Sequence, residues 1–588
     1  MTHPPRSPDT PAAILQLLRQ GRHKAAFKSA RTAMRRHKSN PVFANLAGIA
    51  LGSAGQQREA LGYFRKALAL DPAFHDARKN LAQTLVLCGQ AEAALKPLTR
   101  LCADQPGDAG GWYLLAQARL ATGDAAGAED AAGHAIDADP KQGRAHNLRG
   151  LARQRLGRLA EAVSDHAAAL RLNPRDIEAM INQCAPLSRL LRDDEALALA
   201  RRAVEGDPAH AGARLALGAQ LMAAGRMDDA AVQYRAILDH APRHARALER
   251  LAALGRDRDE NTLAAQVAAA LKSAPKGSED RALLGFAAAR IATRQQDDTA
   301  AARHLSDANA IMATRLPHDR DRDRAHIRSS LARFEPGMQV APHPAAGDAA
   351  GLLPIYILGL PRSGTTLAEA MLAAHGDVRA MGERATPGML LAPLIETGAD
   401  FDTEAAAAFA RADRAALPGT GGAGHYTDKM PENYRLVGFL RTACPAARFI
   451  CLRRDPRDVA LSMWREIFDG TALAYTYDLA AMADRFNLFA EAMRHWHRVF
   501  PGDILDLRYE VLVTDPQAAS QAMARHCGLE WTPQMAHPEQ GDGAVLTASA
   551  TQLRQPVHAR SVGKWRQHAD MLAPFIAGLD PELWPEIR

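Results

Sequence analysis

No run of 18 apolar residues occurs in this 588-residue sequence, so no membrane-spanning helix is expected. Its start, MTHPPRSPDTPAAILQLLRQ, has no apolar run of the length a secretory signal needs. Cysteine is scarce and scattered: Cys88, Cys102, Cys184, Cys444, Cys451 and Cys527, with no CxxC pair. That excludes a disulfide framework and supplies no zinc-ligand spacing. A reducing cytoplasm is the simplest expectation, with no membrane partner and no metal. Aromatics make up only 5% of the chain, which fits an Ala/Leu-rich helical protein. Charge of one sign is also missing. A net +6 over this length is what a mixed solvated surface gives, and it makes no case for nucleic acid.

The N-terminal half has a repeat. Gly21, Gly55, Gly89, Gly123, Gly157 and Gly225 lie on a 34-residue comb, with Leu191 in the missing place. Five residues after each lies an alanine: Ala26, Ala60, Ala94, Ala128, Ala162, Ala196 and Ala230. A third comb holds Pro72, Pro106, Pro140, Pro174, Pro208 and Pro242, usually after Asp or Asn. A helix–turn–helix unit accounts for each. Glycine sits where the first helix ends and φ turns positive. Alanine lets the second helix pack closely. Proline is expected to start the next unit's first helix. Leu115 and Ala118 belong to the buried stripe. This pattern resembles the tetratricopeptide repeat, whose period is 34. About seven repeats are expected within residues 1–245. The resemblance implies a superhelix that binds a protein or peptide in its groove; self-association or plain structural support are the alternatives.

The comb fades after residue 245. Residues 246–334 still read as helices, for example RALLGFAAARIATRQQ, and are taken as degenerate repeats. Residues 335–353 are Pro/Gly/Ala-rich and aperiodic, which reads as a linker. Residues 354–588 then change character. Ile355 to Leu360 is a buried parallel-strand candidate. The turn Pro361-Arg362-Ser363-Gly364-Thr365-Thr366 and an Ala/Leu helix follow. Strand, small-residue turn and helix start form a phosphate cradle, because free N–H groups and the helix dipole face the anion. Gly359 and Gly364 keep the spacing of a nucleotide P-loop, but Thr365 stands where its lysine would be. That argues against triphosphate chemistry, and so against a P-loop kinase or hydrolase. Arg362 supplies the positive charge instead.

PRSGTT after a strand resembles the 5′-phosphosulfate loop of sulfotransferases, which use 3′-phosphoadenosine 5′-phosphosulfate (PAPS). The resemblance implies that Arg362, Ser363, Gly364, Thr365 and Thr366 hold the donor's phosphosulfate end. It also implies a second site for the 3′-phosphate. In ARFICLRRDPRDVALSMWRE, Arg454 at a strand end and Ser462 eight residues on match the family's Arg/Ser spacing. Arg465 lies one position short of a comparable arginine in tyrosylprotein sulfotransferases. Tyr509, in LDLRYEVLV, resembles the tyrosine that contacts the nucleotide; core packing is the alternative. TASATQLRQPVHARSVGKWRQH resembles the segment that closes over the donor, with Ser549 and either Arg560 or Lys564 on its phosphates.

Sulfuryl transfer needs a base near the acceptor hydroxyl and cations near the leaving oxygen. Glu383, in AMGER, lies 21 residues beyond Arg362, as the proposed base does in tyrosylprotein sulfotransferases. It would serve provided that burial raises its pKa. A surface salt bridge, for instance with Arg384, is the alternative. Lys429, in YTDKMPEN, resembles the lysine that stabilises the transferred group; a surface ion pair is the alternative. Arg362 shares that role. His375 is the second candidate base. His495 and His497 point to different faces of a helix, so no metal site is expected there. The expected fold is an all-α tetratricopeptide superhelix followed by an α/β P-loop-like sulfotransferase domain with a parallel sheet. Transfer to a tyrosine, peptide or other hydroxyl is the expected activity. An inactive sulfotransferase-like scaffold is the alternative.

Overall fold

The computed structural model describes residues 10–255, 260–337, 352–417, 422–468, 470–540 and 557–587. Most of the 335–353 linker and Ser549 lie outside the described residues. By contact the chain divides into two compact units, Met1–Pro186 and Leu187–Arg588. Nineteen α-helices precede the first strand among the described residues, from α1 (Pro11–Arg19) to α19 (Arg320–Leu331). A five-stranded sheet and further helices follow.

The 34-residue period has a direct structural meaning. A 13-residue helix (Pro41–Ser53), a three-residue turn, a 14-residue helix (Gln57–Leu70) and a four-residue turn complete one unit before His75 starts the next. Each comb glycine has positive φ, from 69° at Gly157 to 90° at Gly123. Leu191 takes the same backbone conformation at φ 59°. The seven comb alanines are all fully buried. Leu115 and Ala118 are buried as the stripe requires.

The prolines depart from expectation. Pro72 does not start a helix; the next helix begins three residues later at His75. The same offset separates Pro106 from Ala109 and Pro208 from Ala211. The proline is a corner of the inter-unit turn, and the preceding acid closes that turn. Asp71 accepts from the Ala73 N–H at 2.9 Å and Asp207 from Ala209 at 3.0 Å. An Asx turn followed by fixed proline φ explains the pair better than a helix start does.

A further comb lies inside the first helices. A Cβ on Gly48 would stand 2.5 Å from the Phe64 ring, on Gly150 2.7 Å from His166, and on Gly218 closer still to Tyr234. Each glycine precedes its ring by sixteen residues, so one close helix–helix approach recurs within the units.

In the C-terminal part the strands are β1 (Leu353–Gly359), β2 (Val378–Ala380), β3 (His425–Asp428), β4 (Arg448–Arg453) and β5 (Ile504–Arg508). They pair in parallel in the order β2-β3-β1-β4-β5. Central β1 is buried along nearly its whole length, which is why it reads as an unbroken apolar run. One face of the sheet packs Ile355, Ile357, Ile450 and Leu452 against α20 (Thr365–Ala373) and α27 (Pro516–Cys527). The other packs Tyr356, Leu358, Phe449 and Cys451 into a larger core. That core also contains Phe286, Ala308 and Ile327, from α17 (Glu279–Arg294), α18 (Asp298–Arg315) and α19. The last helices before the sheet are therefore part of its core.

A buried ion cluster secures the β2–β3 edge. Arg384, just after β2, donates to both carboxylate oxygens of Asp413, at 2.6 and 3.2 Å, and approaches Asp428 at 3.5 Å. Asp413 comes from α22 (Thr403–Ala415). Burial pushes the Asp428 carboxyl up to about 7, and Arg384 offsets only part of that.

Both kinds of strain can be measured. Leu191 adopts a conformation that costs an L side chain about 1–2 kcal/mol. Leu191→Gly should therefore raise the unfolding free energy by about 0.5–1 kcal/mol after the unfolded-state entropy of glycine is deducted, as read by urea denaturation. For Asp428, folded protein binds a proton that the unfolded chain releases above its ordinary value of 3.8. Its contribution to stability accordingly falls as pH rises from about 4 to 7. Asp428→Asn removes the titration, so its stability relative to wild type should climb across that window. A difference that stays flat with pH would mean the group does not titrate there.

Candidate active site

Because all five strands are parallel, their C-terminal ends share one edge of the sheet, and each is followed there by a residue singled out in the sequence. Gly382 and Glu383 follow β2, Lys429 follows β3, the PRSGTT loop follows β1, Arg454 follows β4 and Tyr509 follows β5. The strand order reverses direction between β1 and β4, where such sheets open a crevice for ligands. A cavity of about 270 Å3 lies there, lined by Arg362, Gly364, Thr365, Thr366, Arg454, Ser462 and Tyr509 among others.

The loop geometry is demanding. Gly359 has φ 154°, and a Cβ there would meet the Leu452 carbonyl at 2.9 Å. Gly364, at φ 105°, caps α20, and a Cβ there would strike the Tyr509 ring. Arg362 itself sits at φ 68°, which is uncommon for a residue with a side chain and typical of ligand clamps. Its Nε donates to Ser462 Oγ at 3.0 Å, and its guanidinium lies 3.9 Å from Glu466. Buried Ser363 Oγ finds no hydrogen-bond partner among the described residues.

The second anchor forms across the crevice. Arg454 donates to the Arg362 carbonyl at 3.0 Å and to the Ser561 carbonyl at 2.8 Å, and it lies 4.3 Å over the Tyr509 ring. Ser462 lies on α24 (Pro456–Trp464), beginning two residues beyond Arg454. Tyr509 opens α26 (Tyr509–Thr514), and its hydroxyl hydrogen-bonds Ser561 at 2.7 Å. Arg465 also lines the cavity and donates to His568 Nε2 at 2.5 Å. Burial pushes the Arg454 and Arg465 guanidiniums below their ordinary pKa. The Nε of each is buried without a partner among the described residues. Orphaned N–H donors on two arginines that line a cavity are what an anionic ligand needs, so the residues present fit a phosphate-bearing donor.

Lys429 and Glu383 stand together beside this cavity's strands but do not line it. Lys429 is fully buried, and its Nζ donates to Glu383 Oε1 at 2.5 Å. A surface ion pair is thereby excluded for the lysine. Glu383 is not the partner of Arg384, which is occupied by Asp413 and Asp428. The Glu383 side chain is 48% exposed, so the burial expected to tune it is absent. What adjoins it is the ammonium of Lys429.

A third residue holds this pair. Buried Glu369, on α20, accepts from the Gly382 N–H at 3.0 Å and from Thr427 Oγ1 at 2.7 Å. Burial raises its pKa and the charge of Lys429 works against that rise. The Lys429 N–H closes the loop on the Gly382 carbonyl at 2.9 Å.

His375 falls elsewhere. It lies in the turn between α20 and β2 and accepts from the Asp377 N–H at 3.2 Å, at the opposite edge of the sheet. Arg560 is exposed and does not line the cavity, whereas Lys564 does. His497 pairs with Asp506 at 3.1 Å.

Sequence reading missed Ser561, His558, Glu466 and Asp458. Asp458 is buried and accepts from the Gly563 and Trp565 N–H groups at 2.6 and 2.9 Å, fixing the last described segment over the cavity. The signal available was the second acid of RRDPRD, which by itself reads only as part of a basic turn.

Comparison with known proteins bears on the family of the C-terminal part. Residues 354–533 match the model of the sulfotransferase family. An uncharacterised protein of Aquifex aeolicus (strain VF5) is 28% identical over 326 residues, 52% of this chain, and the match spans 42% of that protein's length. A putative protein-tyrosine sulfotransferase of Caenorhabditis briggsae is 27% identical over 38% of this chain and 88% of its own. Protein-tyrosine sulfotransferase 1 of Danio rerio is 27% identical over 39% of this chain and 73% of its own. Among solved structures, a tetratricopeptide repeat protein of Parabacteroides merdae aligns with 41% of this chain and 95% of its own at 17% identity and a TM-score of 0.36. The chain thus joins a helical repeat array to a C-terminal part that matches the sulfotransferase family over residues 354–533 and is similar there to protein-tyrosine sulfotransferases.

Proposed function

We propose that the chain is a PAPS-dependent sulfotransferase acting on an acceptor hydroxyl. The observation that carries this reading is the cavity at the strand reversal, ringed by Arg362, Arg454, Arg465 and Lys564 beside a loop without the triphosphate lysine. Arg362, Ser363, Gly364, Thr365 and Thr366 hold the phosphosulfate end. Arg454 and Ser462 hold the 3′-phosphate, and Tyr509 packs on the nucleotide. The bound donor supplies an electrophilic sulfur and a phosphate leaving group.

The acceptor oxygen attacks sulfur, and the bond from sulfur to the 5′-phosphate oxygen breaks. Adenosine 3′,5′-bisphosphate leaves with that electron pair. The acceptor proton passes to Glu383. Lys429, desolvated and fixed, offers its positive charge to the transferring oxygens, where low dielectric strengthens it. Arg362 shares that work at the loop. Similarity to protein-tyrosine sulfotransferases favours a tyrosine or peptide acceptor. Residues 1–245 form the repeat domain that binds protein or peptide, 246–334 the helical connector, 335–353 the linker and 354–588 the sulfotransferase domain.

Calorimetry should detect binding of adenosine 3′,5′-bisphosphate that magnesium ATP does not displace. No heat from the bisphosphate would overturn the donor assignment. In a second measurement, Glu383→Gln should lower sulfate transfer from labelled PAPS by about a hundredfold or more, the range for losing a general base. Bisphosphate affinity should change less than about threefold, because a general base acts on the acceptor and not on the donor. Turnover kept within about tenfold, below the range for a general base, would remove Glu383 from that role.

A further inference from the structure

The segment after α24 belongs to the donor cavity, yet its partners come from helices far earlier in the chain. Ser462, Arg465 and Glu466 all line the cavity. Asn309, on α18, donates its amide to the Trp464 carbonyl at 3.0 Å. Arg290, on α17, donates to Glu466 Oε2 at 3.0 Å and reaches the Arg465 carbonyl at 3.5 Å. These contacts occupy carbonyls that a helix end leaves without an intrahelical partner. Arg290 also donates to Glu249 at 2.6 Å, a carboxylate only 2% exposed on α15 (Ala245–Leu254). Burial opposes the charge of Arg290, and Glu466 and Glu249 more than offset that, so its pKa is raised.

The other oxygen of Glu466, Oε1, lies 3.9 Å from the Arg362 guanidinium. One carboxylate is therefore shared between the arginine of the phosphosulfate loop and an arginine of the helical connector. Glu466 is out of place in a cavity built for an anion. An unneutralised carboxylate there would repel the incoming phosphates and hold Arg362 for itself. Asp458, the other acid lining the cavity, has both oxygens engaged by backbone N–H groups.

We infer that Arg290 is a positioning residue for the donor site: it neutralises Glu466 and fixes the Ser462–Glu466 segment, which carries Ser462 and Arg465 into the cavity. The connector helices thereby set donor affinity without touching the donor. The inference rests on the reading of the cavity as a PAPS site.

The test isolates the charge of Glu466. Removing Arg290 alone would strand Glu249 as well, so the comparison uses E249Q/R290M against E249Q/R290M/E466Q, with thermal melts as a fold control. Adenosine 3′,5′-bisphosphate binding to the full chain is read by calorimetry. E249Q/R290M should bind about tenfold to a hundredfold more weakly than wild type, the scale of one close like-charge contact at intermediate dielectric. Adding E466Q should restore affinity to within about threefold, since the like-charge contact is then gone. In turnover, the donor KM should follow the same pattern with kcat little changed. A double variant that binds as tightly as wild type, or a triple variant as weak as the double, would overturn the role of Arg290. E249Q/R290Q against E249Q/R290Q/E466Q gives the same comparison with a smaller change of polarity if the first pair melts below assay temperature. Absence of binding by wild type is a different result, and overturns the donor reading itself.

Discussion

Parallel pairing of β1 with β3 and β4 is the constraint on which the site depends. A parallel strand must end on the same edge as its neighbour, so each crossover returns the chain to the far side before the next strand begins. Loops after the strands collect on one edge and those before them on the other. Strand spacing of about 4.8 Å then brings residues far apart in sequence within reach of one small ligand. Arg362 and Ser462, separated by 100 residues, are hydrogen-bonded for this reason. His375, which precedes β2, lies on the other edge for the same reason.

Electrostatics distinguishes the two halves of that edge. At β2 and β3 the charges are closed on one another: Arg384 on Asp413, Lys429 on Glu383 with Glu369 close by. Burying Lys429 without a carboxylate would cost several kcal/mol. Glu383 meets that need directly, and Glu369, close by, adds to it while holding the Gly382 N–H of the loop that carries Glu383. At β4 and the helix after it the charges are left open. Arg454 and Arg465 are desolvated, and their strongest contacts are carbonyls, aromatic rings and a histidine rather than carboxylates.

Much of this was legible in the sequence because the signals are local. Comb glycines report a φ requirement, which Leu191 meets at a cost without changing the turn. PRSGTT reports a helix start beneath a strand. Arg454 and Ser462 report a strand end and the helix after it. The missed features are those set by tertiary contact. Nothing near Glu383 in the sequence says that its side chain remains half exposed or that Lys429 lies beneath it. A proline's φ suits both a helix start and a turn corner, and only the Asx hydrogen bonds decide between them. The internal glycines Gly48, Gly150 and Gly218 escape notice because their reason is a ring sixteen residues away.

Those open charges bear on what the crevice is for. A guanidinium that is buried and lacks a carboxylate lowers stability, and two such groups line one cavity. Stability alone would favour apolar residues or an acid at these positions. An acid is in fact present, at Glu466, but it is drawn toward Arg290 at 3.0 Å and stands 3.9 Å from Arg362. The arrangement therefore keeps positive charge available around the cavity at the expense of the folded state. Such a cost is recovered when an anion binds, because the ligand then supplies the hydrogen-bond acceptors that the fold withholds. The same logic explains why the connector helices share a core with the sheet: a cavity that stores unpaired charge needs walls held by something other than the charge itself.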